Sequence, residues 1–257
     1  MKYINLRFCP VCNFNNKLKL SKMSKQTGYL NKKIDVTLNI CRSCSFVFQS
    51  PRVSQKYLDK YYKNSKNSSG QTFFFKDDKS YKYGLNKKRV EFLNKIIKTK
   101  KKKKILEIGA STTDFLNLLS KNKHVLYAVE PSKQKINKKI KFFNQTFEKI
   151  NFKNKFDVIA CFHTLEHIFD INVFLSKILK IIKDSGYLFL EVPNSLKMGF
   201  MTIEDYYPFE HMSYFNYENL KIFLSKYGFK KFKIDKKDKV NLRVIARFEK
   251  RNVNNYF

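Results

Sequence analysis

Tryptophan is absent from the 257 residues; glycine (7) and proline (5) are scarce, and alanine stands only at positions 110, 128, 160 and 246. Such low glycine and proline contents exclude collagen-like and Gly/Pro-rich disordered classes. Acidic residues are outnumbered, 21 against 53 lysines and arginines, so the formal charge at pH 7 is +32. No run of about 18 apolar residues occurs, which excludes a membrane-spanning helix. Nor does a secretory apolar segment open the chain, because MKYINLRFCPVC is broken by charge and cysteine. The expected location is therefore the cytoplasm, where cysteines are explained by metal or chemistry before disulfides.

Against these absences stand 43% hydrophobic and 16% aromatic residues, enough for a folded core, and a length that suits one large domain with a small appendage. The positive charge would ordinarily suggest nucleic acid or an anionic surface. Abundant Lys, Asn, Ile, Phe and Tyr beside scarce Gly, Pro and Trp is the pattern of AT-rich codons, however, and composition bias accounts for the charge better than a polyanion partner. The run Lys100 to Lys104 fits this view. It precedes the first strand of the large domain, opposite the carboxyl edge where open α/β sheets bind ligands, and reads as solvated.

Four of the five cysteines form two C-x2-C pairs, Cys9/Cys12 and Cys41/Cys44. Each short turn offers two thiolates to one face, and two turns complete the tetrahedral set of a structural Zn²⁺ site. A redox pair or reduced core cysteines would use the same residues. Duplication within so short a segment favours zinc, and four thiolates leave no open position for a substrate. A hairpin from Leu18 to Ile40, turning near Gly28, spans the separation.

After a helical stretch from Val53 and a polar stretch from Asn64, LNKKRVEFLNKII has helical spacing, and strands then alternate with helices. KILEIG leads to helix FLNLLSK, VLYAVE to helix SKQKINKKIKFF, FDVIACF to helix NVFLSKILKII; NQTFEKI reads as a short strand and GYLFLEVP as the last of the run. Such alternation predicts a parallel sheet with helices on both faces. Helix YENLKIFLSKYGF and two strands, FKKFKID and NLRVIARFEK, close the chain as an antiparallel hairpin.

ILEIGASTTDFL has the strand–turn–helix setting of a nucleotide-type cofactor site but lacks the glycines of a dinucleotide loop. Glu130, 23 residues after Glu107 and followed by Pro131, stands where an acidic strand end accepts the ribose hydroxyls of an adenosine cofactor. The segments ILEIG, YAVEP, FDVIACFHTLEHIFD and GYLFLEVPN, in this order and spacing, resemble the class I S-adenosylmethionine-dependent methyltransferases. The N-terminal cysteine segment resembles the zinc module of a subgroup that includes sugar C-methyltransferases, and EHMSYFNYENL is similar to that subgroup's catalytic segment. The longer members carry a further C-terminal domain.

The resemblance implies an α/β fold, a Rossmann-like seven-stranded, mostly parallel sheet with an antiparallel last strand, plus a small N-terminal four-cysteine zinc module. It divides the chain into module and helix over 1–63, a linker over 64–85, the methyltransferase domain over 86–250 and a tail over 251–257. It implies S-adenosylmethionine at Glu107, Gly109, Ala110, Ser111, Glu130 and Pro131, with Thr146 and Phe147 near adenine and Cys161 and His163 at the methionine end. Family members usually have glycine where Ser111 and Thr113 stand; the cofactor has no phosphate, so this loss counts against NAD more than against S-adenosylmethionine. A Cβ there carries a cost only where the position needs φ > 0.

For catalysis the resemblance implies His211 as general base, an imidazole titrating near neutrality, steadied by Glu210. His167 is a second candidate, or with Glu166 a structural pair; Cys161 reads as a small pocket or core residue rather than a nucleophile. The implied acceptor is a small molecule, a nucleotide-linked or glycan-precursor sugar. An RNA methyltransferase and a non-enzymatic cofactor-binding protein are the alternatives.

Overall fold

The computed structural model describes residues 3–27, 32–64, 79–97, 101–132, 136–197, 209–238 and 240–250. The expected hairpin turn at Gly28, most of the linker and the tail lie outside these residues. The N-terminal module comprises β1 (Tyr3–Ile4), β2 (Lys17–Thr27), β3 (Lys32–Cys41), β4 (Val47–Gln49), β5 (Arg52–Val53) and helix α1 (Gln55–Asn64). β2 and β3 pair antiparallel from Lys17↔Cys41 to Thr27↔Lys32, the expected hairpin.

Helix α2 (Lys79–Ile97) starts six residues before Leu85, where the helical spacing was expected to begin. The sheet that follows runs through β6 (Lys104–Ile108), β7 (Val125–Val129), β8 (Ile140–Phe143), β9 (Phe156–Phe162) and β10 (Ile182–Pro193), with α3 (Asp114–Leu119) and α4 (Ile171–Ile181) between strands. After β11 (Ser213–Tyr214) come α5 (Tyr217–Lys226), β12 (Phe229–Ile234) and β13 (Asn241–Phe248). The seven strands lie in the order β12-β13-β10-β9-β6-β7-β8, parallel except where β13 pairs antiparallel with β10 and β12. This is the expected α/β architecture, closed by the expected hairpin.

One expectation fails. SKQKINKKIKFF is not helical over its described part, and NQTFEKI is not a strand: IKFF forms β8, parallel to β7 with Leu126↔Ile140 and Val129↔Phe143, and Phe147–Lys149 forms a 3-10 turn. Ile136, Ile140 and Phe143 sit at helical spacing, but the aromatic pair prefers a pleated, half-buried surface. Phe142 packs with the core on one face and Phe143 with the core on the other, the two-residue period of a strand. Asn137 ends the helical option by accepting from its own backbone, Lys139 N to Asn137 Oδ1 at 3.0 Å.

Two cores flank the sheet. On one face α2 and α3 bring Leu93, Phe115, Leu116 and Leu119 onto Ile105, Val158 and Phe189. On the other, α4 and α5 bring Phe174, Ile178 and Phe223 onto Ile159 and Leu190, and the module adds Cys9, Val11, Phe46 and Phe48 to the same core. The module is joined to the domain by more than apolar contact. β11 adds to β4 as the edge strand of the module's own sheet, Ser213↔Phe48 and Tyr214↔Val47. Gln49, 2% exposed, donates Nε2 to the carbonyls of Phe209 (3.1 Å) and His211 (2.6 Å), and its backbone N–H donates to Met212 O at 3.1 Å. Arg52 Nη1 donates to Phe169 O at 2.6 Å.

Gln49→Leu keeps much of the side-chain volume but leaves two carbonyls without their donor, so unfolding by urea should show a loss of about 1–3 kcal/mol, the cost of abandoned buried partners. Hydrogen exchange should quicken first in the 209–214 segment. A variant as stable as the native chain removes Gln49 from this role.

Candidate functional site

The carboxyl ends of β6, β7, β9 and β10 meet at one edge. β6 ends in a turn folded back on its neighbour, with Gly109 N and Ala110 N both donating to Val129 O, at 2.9 and 3.1 Å. Gly109 has φ +72, and a Cβ there would come within 2.2 Å of Thr164 Oγ1, so this position admits only glycine. Ser111 (φ 44) and Thr113 (φ 59) are also left-handed. The two positions without the expected glycines are thus the ones that need positive φ, and the loop carries that strain in non-glycine residues. Thr113 caps α3 by position only: its side chain makes no cap hydrogen bond, and Asp114 accepts from Thr112 instead.

Glu130, 6% exposed, holds this loop to the next. Its Oε2 accepts from Ser111 N at 3.0 Å; its Oε1 accepts from Ser132 N and Ser132 Oγ at 3.0 and 2.7 Å. Asn144, just past β8, donates to the carbonyls of Glu130, Pro131 and Ser132 at 2.9–3.1 Å and fixes the turn after β7. Glu107 lies beneath the loop at 4% exposure, its Oε2 without a hydrogen-bond partner. Burial pushes its carboxyl up to about 8; Arg89 opposes the shift, and Asp114 and Glu130 add to it.

An ionic network continues along the edge. Glu191, wholly buried on β10, accepts from Arg89 Nε at 3.1 Å and Arg243 Nε at 2.5 Å; Arg243 also donates to Asp235 and Asp238. Burial would raise the Glu191 carboxyl, but Arg89 and His163 hold it well below the usual carboxylate range. Arg89 also stacks over Phe162, 4.3 Å from the ring centre. His163 (φ 47) stands between two carboxylates, Nδ1 3.4 Å from Glu166 and Nε2 3.3 Å from Glu191. Burial would lower its pKa, yet the two carboxylates push it up to about 9.

Beyond His163, Thr164 Oγ1 lies against Ile108 O and Gly109 and links the β6 loop to the 3-10 turn Leu165–His167. Met212 N donates to Glu166 O at 2.7 Å and brings the 209–214 segment onto this turn. As a result the rings of His167 and His211 meet edge to face, centroids 4.6 Å apart, with Glu166 beneath them. His211 does not titrate near neutrality: burial, then the neighbouring His167, push it down to about 3, against the pull of Glu166. Glu210 does not steady His211; it accepts from Tyr61 Oη of α1 at 2.6 Å.

The remaining expected residues are more deeply set. Cys161 is wholly buried with Ile159 and Leu106, and burial raises its thiol. Phe147 is 3% exposed, edge-on to Phe174 at 5.2 Å. Thr146 lines a cleft with Ile168, Asp170 and, from α1, Gln55 and Asp59.

The four paired cysteines converge, Cys9 Sγ 3.7 Å from Cys44 Sγ and Cys12 Sγ 3.5 Å from Cys41 Sγ, all within 4.8 Å of one another. The two turns are copies: Asn13 N donates to Cys9 O and Ser45 N to Cys41 O, with Asn13 and Ser45 both at positive φ.

Gln49, Arg89, Asn144, Thr164 and Glu191 were not among the candidate residues, although Thr164 and Glu191 lie inside segments that carry the family resemblance. Glu191 and Arg243 had one signal, a charge within the apolar runs YLFLEV and LRVIA, since a charged side chain is buried only when paired. Among the described residues no helix is long and apolar enough to cross a membrane.

A family profile described as a methyltransferase domain matches residues 79–234. No curated protein sequence matches the chain. Among solved structures, the 1,6-didemethyltoxoflavin-N1-methyltransferase of Burkholderia thailandensis, with its substrate and S-adenosylhomocysteine bound, superposes with a TM-score of 0.60 at 12% identity, over 80% of this chain and 96% of that one. A plantazolicin methyltransferase gives 0.58 at 12% identity, over 76% and 94%. The magnesium protoporphyrin IX methyltransferase of Synechocystis PCC 6803, with S-adenosylmethionine bound, gives 0.53 at 13% identity, over 77% and 98%. These likenesses establish the fold, and the profile spans more than half of the 257 residues: the chain belongs to the methyltransferase-domain family.

Proposed function

We propose that the enzyme methylates a small-molecule acceptor, a nucleotide-linked or glycan-precursor sugar, with a structural Zn²⁺ in its N-terminal module. The observation that carries this reading is the adjacency, through Thr164, of the β6 loop and the Glu166/His167/His211 cluster: a cofactor site and an acid–base site share one edge. The sugar class is supported by the resemblance of the cysteine module and EHMSYF to the sugar C-methyltransferase subgroup, and by the direct pairing of those two segments.

The residues at the β6 loop fit the cofactor. Glu107 Oε2 is buried without a partner, as suits a carboxylate meeting the ammonium group, and Glu130 is oriented by three donors for ribose hydroxyls. Gly109, Ala110 and Ser111 shape the loop, their own amides donating to Val129 O and Glu130, with Pro131, Thr146 and Phe147 toward adenine and His163 and Cys161 toward methionine. When bound, the cofactor supplies a methyl group already activated on a sulfonium, so the chain's task is alignment and proton removal. His211 and His167 stand where the acceptor proton is to be taken, with Glu166 rather than Glu210 to compensate the resulting charge; burial makes His211 a weak base at neutral pH.

Labelled S-adenosylmethionine incubated with nucleotide-sugar pools should yield a labelled sugar by mass spectrometry. Label in RNA and none in sugars would replace this reading with the RNA enzyme. Calorimetry with Glu130→Ala should show cofactor affinity reduced by about 1–3 kcal/mol; unchanged affinity would reject the ribose assignment.

Glu107 gives a pH signature. Its carboxyl is raised from 4.5 to about 8 in the folded chain, so the stability it contributes when protonated is full below 4.5 and lost as pH rises through about 8. Glu107→Gln removes this slope. Thermal unfolding without cofactor should find the variant more stable than the native chain at pH 8.5, and closer to it at pH 5, while cofactor binding weakens. A variant less stable at pH 8.5 would mean that Glu107 is ionised and paired.

For the module, metal analysis should find one zinc per chain, lost in Cys41→Ala/Cys44→Ala. Four thiols on two copied turns suit tetrahedral zinc and close its coordination, and because binding and folding are coupled, chelation should unfold the module. Zinc-free native protein would remove this assignment.

A further inference from the structure

We propose that Glu166, His167 and His211 form a second metal site, separate from the four cysteines, which takes a divalent transition-metal cation and holds an oxygen of the methyl acceptor on it. One carboxylate and two imidazoles are the donor set of Zn²⁺, Mn²⁺, Fe²⁺ and Co²⁺ sites that keep positions open for substrate. The four thiolates of the module leave none. The role given to the acceptor oxygen rests on the function proposed above; the binding of the cation does not.

The first support is geometric. One ligand atom from each residue lies within 4.8 Å of the others. Ligands about 2.1 Å from one ion stand about 3.4 Å apart in a tetrahedral set, so the side chains would close by at most roughly an ångström and a half. The backbone is already braced. Glu166 and His167 sit on one 3-10 turn, Met212 N ties the His211 segment to Glu166 O at 2.7 Å, and Gln49 holds the His211 carbonyl at 2.6 Å.

The second support is a buried carboxylate answered by histidines alone. Glu166 is 2% exposed, and neither carboxylate oxygen makes a hydrogen bond within normal limits; His163 Nδ1 lies 3.4 Å from Oε1, and His163 also faces Glu191. A carboxylate removed from water costs several kcal/mol unless a partner compensates it. Glu191, equally buried on the same edge, has two arginines besides its share of His163; Glu166 has that share and the rings of His167 and His211. A cation held by Glu166, His167 and His211 supplies the positive charge that the arginines give Glu191.

With the cation bound, His211 is a ligand, and the proton-accepting role given to it above belongs to the metal-free cluster. A coordinated hydroxyl becomes more acidic, and its proton passes to solvent.

The test uses the full chain loaded with zinc at the module and titrated with Mn²⁺, which disfavours thiolates; free Mn²⁺ is followed by electron paramagnetic resonance. One equivalent should bind. Glu166→Gln and, separately, His167→Asn should weaken it by at least the roughly 10–100-fold that losing even an outer-shell partner costs, with circular dichroism confirming that both remain folded. No bound Mn²⁺, nor Co²⁺ by calorimetry, would overturn the site, as would binding undiminished in both variants. Sugar methylation by chelator-treated protein at the native rate would overturn the metal's part in the reaction and leave the proposed function standing. Cation binding without sugar methylation would leave the site standing and reject that function.

Discussion

The site depends on a short antiparallel pairing. β11 supplies two residues, Ser213 and Tyr214, to the module's sheet, and Gln49 reaches past that pairing to hold the carbonyls of Phe209 and His211. His211 stands on an irregular segment of the large domain, and loops of this kind are positioned by whatever satisfies their backbone groups. Here the satisfying group belongs to the module. The N-terminal cysteine turns, by setting where β3 ends and β4 begins, therefore reach the acid–base cluster through two hydrogen-bonded strands.

A second constraint runs along the carboxyl edge. Glu191 collects Arg89 from α2, Arg243 from β13 and His163 from the end of β9, so a single buried carboxylate joins three elements that are remote in the chain. Breaking one partner of such a group leaves an uncompensated charge, which costs more than the pair gains. This gives the edge one arrangement. Glu107 and Glu166, on the same edge, have no arginine bonded to them among the described residues; Glu166 faces His163 at 3.4 Å, and Glu107 Oε2 has no hydrogen bond.

The β6 loop achieves with Ser111 and Thr113 the left-handed conformations that glycine adopts without strain. Gly109 is retained where Thr164 leaves no room for a Cβ. Glu130 accepts from Ser111 N and from Ser132, so the carboxylate proposed for the ribose also pins the strained loop.

The alternation of strands and helices, the terminal hairpin, the paired cysteines and the acidic strand ends were legible in the chain because each rests on local periodicity or on residues close in sequence. IKFF was not: its spacing satisfied a helix, and only a place beside β7 made it a strand. His211 could be named from EHMSYF, yet its neighbours could not. That Glu166 and His167 lie under it, that Glu210 turns to Tyr61, and that burial pulls its pKa down to about 3 follow from contacts between segments more than forty residues apart. Local sequence determined which elements form and which residue types gather at the carboxyl edge; desolvation and partner choice, which only the folded chain defines, decided the charge each one carries and what it can hold.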